Sequence, residues 1–397
     1  MDPKAHADGT NRRNAVVVGG GIGGLAAAVA LIRCGWQVEV LERAPAFEEV
    51  GAGLSLWPNG VRALDALGLG ENVRRRAMTE TEVGIRNASG RWLARTDVRE
   101  LGRRYGPVVA VHRADLTEVL RQAVPTAALR MNAEVTGVEA TASSVEVRHT
   151  AGVSRADLLV GADGIRSVVR QSLWPGHRAP RYAGYTAWRL IVDTGGHPST
   201  VGETWGRGQR AGIVPLADGS TYFFGAANAP EGQRSPDGEL AEMRRRFNGW
   251  HAPIPELLAA ASADAVMRHD IYALPALRTF VHGRTALLGD AAHAMTPDLG
   301  QGANQALEDA VTLAAMLAAH PDVEPALAAY DRQRRARAQM IARRSRLMGR
   351  VAQWSWQPAA FLRERALRLS PPSSLLAALA PAISWQPPAL EPANRPS

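Results

Sequence analysis

A short β-branched run, Ala15-Val16-Val17-Val18, stops at Gly19-Gly20-Gly21-Ile22-Gly23-Gly24 and gives way to a helical stretch, Leu25 to Arg33. Val38-Glu39-Val40-Leu41-Glu42 supplies the next strand, so the segment predicts a strand–helix–strand unit of ordinary length. Within Gly19-x-Gly21-x-x-Gly24 the three glycines permit a tight turn, close approach of a pyrophosphate, and close helix–strand packing. The helix N-terminus adds free amides and a partial positive charge. Glu42, about 20 residues on, stands where an acid accepts hydrogen bonds from both hydroxyls of an adenosine ribose. A chain that opens this way is committed to a parallel sheet around a dinucleotide. The fingerprint alone does not separate FAD from NAD.

A second segment makes that separation. Ala286-Leu287-Leu288-Gly289-Asp290 reads as a strand delivering a carboxylate, and a Gly-rich loop leads into a helix beginning near Gly300-Gln301-Gly302. A carboxylate at Asp290 can hold ribityl hydroxyls, and the helix N-terminus can stabilise negative charge on a reduced flavin near N1. Asp290 as a plain helix cap is the alternative, and it leaves Gly300-x-Gly302 unexplained. A third segment, Gly161-Ala162-Asp163-Gly164-Ile165-Arg166-Ser167-Val168-Val169-Arg170, follows a buried-type strand at Asp157–Val160, although Asp-Gly taken alone is a commonplace turn.

Between these motifs the pattern changes. Thr186–Val192, Ala211–Val214 and Thr221–Ala226 alternate like strands of an antiparallel sheet, and Leu240–Phe247 is helical. The expected fold is therefore α/β: a Rossmann-like FAD-binding domain interleaved with an antiparallel substrate domain, followed by C-terminal helices. Residues 14–80, 105–180 and 275–320 would form the first domain and 81–104 and 181–274 the second. Residues 1–13 would be a disordered tail. Residues 321–397 would be helical to about Gln353 and then loosely structured, marked by Pro371-Pro372, Pro387-Pro388 and Pro392.

The net charge of +8 does not lead to a nucleic-acid reading. Lys4 is the only lysine among 46 basic residues, and the densest run, Arg332 to Arg346, reads as a helix with a solvated face. The single cysteine, Cys34, rules out an intrachain disulfide and reads as a buried structural thiol. His293 lacks spaced partners for a metal. Met1–Arg13 is polar, and no window approaches the roughly 18 apolar residues of a membrane span, so a cytoplasmic chain without membrane partners is expected.

Taken in this order and spacing, the three motifs resemble the single-component FAD-dependent aromatic hydroxylases of the para-hydroxybenzoate hydroxylase type, from about Asn14 to Ala318. Val111-His112-Arg113-Ala114-Asp115-Leu116 is similar to the family segment in which an arginine, here Arg113, contacts the flavin. The resemblance implies that Asp163 helps manage the pyrophosphates of FAD and of a transient NADH or NADPH. It also carries cofactor contacts to Arg43, Ser55, Val135, Gly300, Gly302 and Ala303. It further implies non-covalent FAD, reduction by NAD(P)H, addition of O₂ at flavin C4a, and oxygen transfer to a small aromatic substrate in a monomer or homodimer.

Within that family the chain looks most like FAD-dependent urate hydroxylases, through Gly51 to Val61 and Phe247-Asn248-Gly249-Trp250. Their substrate-binding arginine and tyrosine fall on Arg210 and Tyr222, while the chain departs from them at Tyr185–Arg189 and Asn304. Specificity is expected from the Tyr182–Ala226 sheet. An oxidase, a halogenase or a non-catalytic redox sensor stand as rivals. Trp354-Ser355-Trp356 lacks the isoleucine of a halogenase signature.

Overall fold

The computed structural model describes residues 13–47, 52–141, 143–193, 195–196, 201–371 and 373–390. Its centre is a six-stranded sheet in the order Val281–His282, Thr285–Leu287, Leu158–Gly161, Asn14–Val18, Gln37–Leu41, Leu129–Arg130. Every neighbouring pair is parallel except the first. The central strands are buried along almost their whole length, which is why they read as unbroken apolar runs rather than alternating ones. Helices Ile22–Arg33 and Gly302–Ala319 pack together beside this sheet, both alanine-rich and so able to approach closely.

A seven-stranded sheet runs Met267–Ala273, Arg181–Asp193, Ser220–Asn228, Gln209–Pro215, Gly202–Trp205, Val83–Asn87, Trp92–Thr96. It is antiparallel apart from the pairing of Gly202–Trp205 with Val83–Asn87. Over Ala187–Val192, Gln209–Pro215 and Ser220–Asn228 successive side chains turn to opposite faces of the sheet. Trp188, Leu190, Ala211, Ile213, Phe223 and Ala227 turn to one face and form a core with helices Glu239–Phe247 and Ile254–Ala260. Ala187, Arg189, Arg210, Val214, Tyr222, Phe224 and Ala226 turn to the other face.

The C-terminal region differs from the sequence expectation. Beyond the 30-residue helix Val323–Ala352 lie two more helices, Gln357–Leu369 and Ser373–Ile383. The prolines do not prevent this: Pro358 sits in the first turn, where no backbone donor is needed, and Pro381 only in the last. Pro372, Pro392, Gly51 and Met1–Arg12 lie outside the described residues.

The arginine run is also not simply a solvated face. Arg334 is fully buried against Glu308 and Asp309, two acids that helix Gly302–Ala319 carries inward. Cys34 ends the first helix only half-buried, and burial raises its pKa. Among the described residues no helix is long and apolar enough to cross a membrane, and no cluster of three acids, histidines or cysteines is placed to hold a metal.

Candidate active site

The first strand delivers its chain to the N-terminus of helix Ile22–Arg33 in the middle of the parallel sheet. Two of the fingerprint glycines serve packing. A Cβ on Gly24 would stand 1.9 Å from the Gly19 carbonyl oxygen, and one on Gly19 would stand 2.5 Å from that of Ala162. Gly21 is different, since a Cβ there meets nothing within 4 Å and would point into open space. Glu42 accepts hydrogen bonds from the amides of Gly20 (2.6 Å) and Ala44 (2.9 Å), which fixes its carboxylate at the strand end. Arg43 is exposed beside it. The amides of Asn132 and Ala133 donate to the carbonyls of Ala44 and Glu42, drawing the strand that begins at Val135 to this end, with Val135 itself in the core.

From Gly21 a cavity of about 560 Å³ extends between the two large sheets. Ser55, Arg113, Asp290, Gly300, Gly302 and Ala303 line it, as do Arg210 and Tyr222. Gly19, Gly24, Glu42, Arg43, Val135 and Asp163 do not. Asp163 lies one residue behind its wall, between Ala162 and Gly164. Its Oδ2 accepts from the amides of Val168 (2.7 Å) and Val169 (3.2 Å), anchoring helix Val168–Leu173, while burial raises its pKa.

Asp290 opens into the cavity yet is ringed by protein behind, and that burial raises its pKa against the opposing pull of His293, Arg113 and Arg189. Burial lowers the pKa of Arg113, and the nearby Arg189 lowers it further. Asn304 ties the flavin-side loops together: its amide donates to the carbonyls of Ser55 (3.2 Å) and Gly300 (2.8 Å) and its Oδ1 accepts from Trp57 N (3.0 Å).

Arg210 is held on both sides. It lies 3.0 Å from Glu203 and 2.5 Å from Asp298, whose two oxygens also accept from the Tyr185 hydroxyl at 3.0 Å. Burial opposes its charge, but Asp298 and Glu203 outweigh that and raise its pKa. Tyr222 is buried with Gly53 pressed against its ring, which leaves the phenol beside Arg189 and Arg113.

Proteins of known activity share this architecture. The FAD binding domain family matches over residues 12–345. The chain belongs to that family. Among its relatives is the aurachin C monooxygenase/isomerase of Stigmatella aurantiaca, 40% identical over 89% of this chain and 93% of that one. The FAD-dependent urate hydroxylase of Mycolicibacterium vanbaalenii is 35% identical over 83% and 86%. The crystal structure of Klebsiella pneumoniae HpxO complexed with FAD and uric acid superposes with a TM-score of 0.88 at 30% identity, covering 94% of this chain and 97% of that one. The chain is thus an FAD-dependent monooxygenase, with NAD(P)H as its reductant.

The residues present fit FAD. An open cradle at Gly21, a second at Gly302 where a Cβ again meets nothing within 4 Å, and a carboxylate between them span a dinucleotide from pyrophosphate to flavin. Sequence reasoning missed several of the family member's cavity residues. Arg189 was read only as part of a departing strand, and strand alternation is the signal that places it beside Tyr222. Glu80, whose Oε1 accepts from Ser55 Oγ at 2.5 Å and whose pKa burial raises, carries no motif. Arg170, the last residue of the segment that opens at Gly161, lies outside the cavity lining and binds the carbonyls of Ile165 and Ala291, which joins the Asp163 loop to the Asp290 loop. Replacing Asp290 by Ala should weaken FAD binding by about 1–3 kcal/mol through lost hydrogen bonds. Titration of the apoprotein with FAD checks this, and unchanged affinity would reduce Asp290 to a helix cap.

Proposed function

We propose that the protein oxygenates an aromatic ring carrying a hydroxyl or another oxyanion-forming group, held between Arg189 and Tyr222. One observation carries this reading: Arg189 faces the cavity with no ion pair among the described residues, whereas Arg210 is already shared by two carboxylates. Arg113 and Arg189 set two guanidinium groups beside the Tyr222 phenol, while the carboxylates of Glu80, Glu203 and Asp290 line other parts of the cavity. Cations close to a substrate oxygen favour the ionised form of a phenol, and an ionised ring is the more electron-rich one. FAD, when bound and reduced, supplies activation of O₂ and delivery of one oxygen atom.

The chain's own residues do the rest. In this reading Gly21, Glu42 and Arg43 hold the adenosine and pyrophosphate end, Gly19 and Gly24 close the turn behind it, and the strand that begins at Val135 borders it. Ser55, Arg113, Asp290, Gly300, Gly302 and Ala303 hold the flavin end, and Asp163 keeps its loop in place behind the cofactor. Arg189 attracts the substrate oxygen, and Tyr222, whose pKa burial raises, stays protonated and donates to it. Phe224 and Ala226 present an apolar floor on the same strand face. Arg210 is a positioning residue, keeping Asp298 and Tyr185 fixed at the edge of the cavity. The single cysteine is in keeping with a reducing cytoplasm, and there the chain would act as a monomer or homodimer on a small-molecule substrate.

Arg189→Met should retain the flavin spectrum and raise the KM for a hydroxylated aromatic roughly ten- to hundred-fold, the value of a charge-assisted bond lost from a desolvated site. Tyr222→Phe should act in the same direction and less strongly. Substrate-stimulated NAD(P)H oxidation is the measurement, and unaltered kinetics in both variants would sink the assignment.

A further inference from the structure

We propose that the far end of the cavity is a subsite for a hydrocarbon chain attached to the aromatic substrate, with helix Ser373–Ile383 as its wall. This deepens the aromatic-substrate reading above and rests on it. Leu375 and Leu379 of that helix line the cavity together with Trp57, Val83, Met295 and Leu299. All six belong to one apolar cluster, continuous with Ile341 and Ile383. Five of them, all but Leu379, remain only partly buried although they pack against that cluster. Their uncovered surface faces the cavity. Apolar surface left open toward a ligand site gains when a hydrocarbon covers it. A compact polar heterocycle offers these side chains nothing.

The wall is built, not a loose end. Arg337 donates to the carbonyls of Pro381 (2.8 Å) and Ala382 (2.7 Å) at the helix C-terminus. Arg62 donates to the carbonyls of Ile383 and, at 2.8 Å, Trp385. Two guanidinium groups thus satisfy the last carbonyls of the helix and complement its dipole. The acids nearest this end are occupied as well: Glu82 binds Arg86 (3.2 Å) and Arg95 (2.8 Å), and Glu203 binds Arg210. The helix also lies beyond residues 12–345, so the pattern common to the family does not dictate it.

The test is calorimetric titration of the oxidised holoenzyme with phenol and with 4-n-alkylphenols from methyl to hexyl. Affinity should rise about fourfold for each added methylene until the subsite is full. Leu379→Trp, which fills the end of the subsite, should collapse the ratio of hexyl to parent affinity toward one. Bound FAD and melting temperature report whether that variant is folded, and the wild-type series stands without it. Binding of phenol with no gain along the series overturns the subsite and leaves the aromatic reading standing. A gain that persists undiminished in folded Leu379→Trp also overturns it, by placing the chain elsewhere. If no phenol binds and none stimulates NAD(P)H oxidation, the aromatic-substrate reading falls and the subsite with it.

Discussion

Gly21→Val is expected to give a folded, colourless protein. The isopropyl group finds no protein atom within 4 Å of its Cβ, so the backbone has no reason to move. It does occupy the approach to the helix N-terminus, where a pyrophosphate must come within hydrogen-bonding distance of the amides. FAD affinity should fall at least about a hundred-fold, or roughly 2.7 kcal/mol. Gly24→Ala should do the reverse kind of damage. Its methyl group meets the Gly19 carbonyl oxygen at 1.9 Å, so strand and helix must separate and stability falls by about 1–3 kcal/mol or more. Far-ultraviolet circular dichroism, thermal melting and flavin absorbance on the two variants side by side check both statements. A yellow Gly21→Val protein would mean that the fingerprint holds no pyrophosphate.

Arg334→Met should be the most destabilising single change outside the glycines. Arg334 donates through Nε to Asp309 (2.6 Å), through Nη1 to Glu308, and through Nη2 to the side chain of Gln305 (2.8 Å), all of it buried. Removing the cation leaves two buried acids short of a partner, which costs about 3–5 kcal/mol. In a chain of this length that lowers the melting temperature by on the order of 5 °C. The same network sets a pH dependence. Burial pushes the Asp309 carboxyl up, but His293, Arg334 and the Gly289 amide outweigh it and hold the pKa down to about 2. A carboxyl depressed in the folded state contributes stability above its unfolded pKa near 4 and loses it as pH falls toward 2. Wild type should therefore lose stability over that interval, and Arg334→Met should lose less there. A melting temperature unchanged by the substitution would show that the network is neutral.

The parallel sheet and its ligand were legible because their physics is local. A β-branched run, a glycine turn and an acid at fixed offset lie between Ala15 and Glu42, and Asp290 to Gly302 repeats the same economy. Arg210 and Tyr222 were singled out by the family resemblance rather than by alternation, and strands Gln209–Pro215 and Ser220–Asn228 turn both to the cavity. The pairing of Arg210 was not legible. It depends on Asp298, 88 positions away, and on Glu203 across the hairpin, and together these two carboxylates change what an arginine is free to bind. The buried Arg334 looked solvated because its run is uniformly basic; only the facing helix shows which turn points inward. The C-terminal helices were hidden by prolines that mark boundaries rather than disorder.

Arg337 links two helices that border the catalytic chamber. It binds Glu308, on the helix whose N-terminus faces the flavin position, and the last carbonyls of the C-terminal wall. Substrate range can drift cheaply by exchanging the tips of Leu375 and Leu379, apolar side chains that line the cavity and make no hydrogen bond in that linkage. Shifting the wall as a body drags on the cofactor helix. In lineages built this way, new substrates should arise by trimming or enlarging side chains on a stationary scaffold, and relocation of the scaffold should require compensating change at Glu308 in the same step.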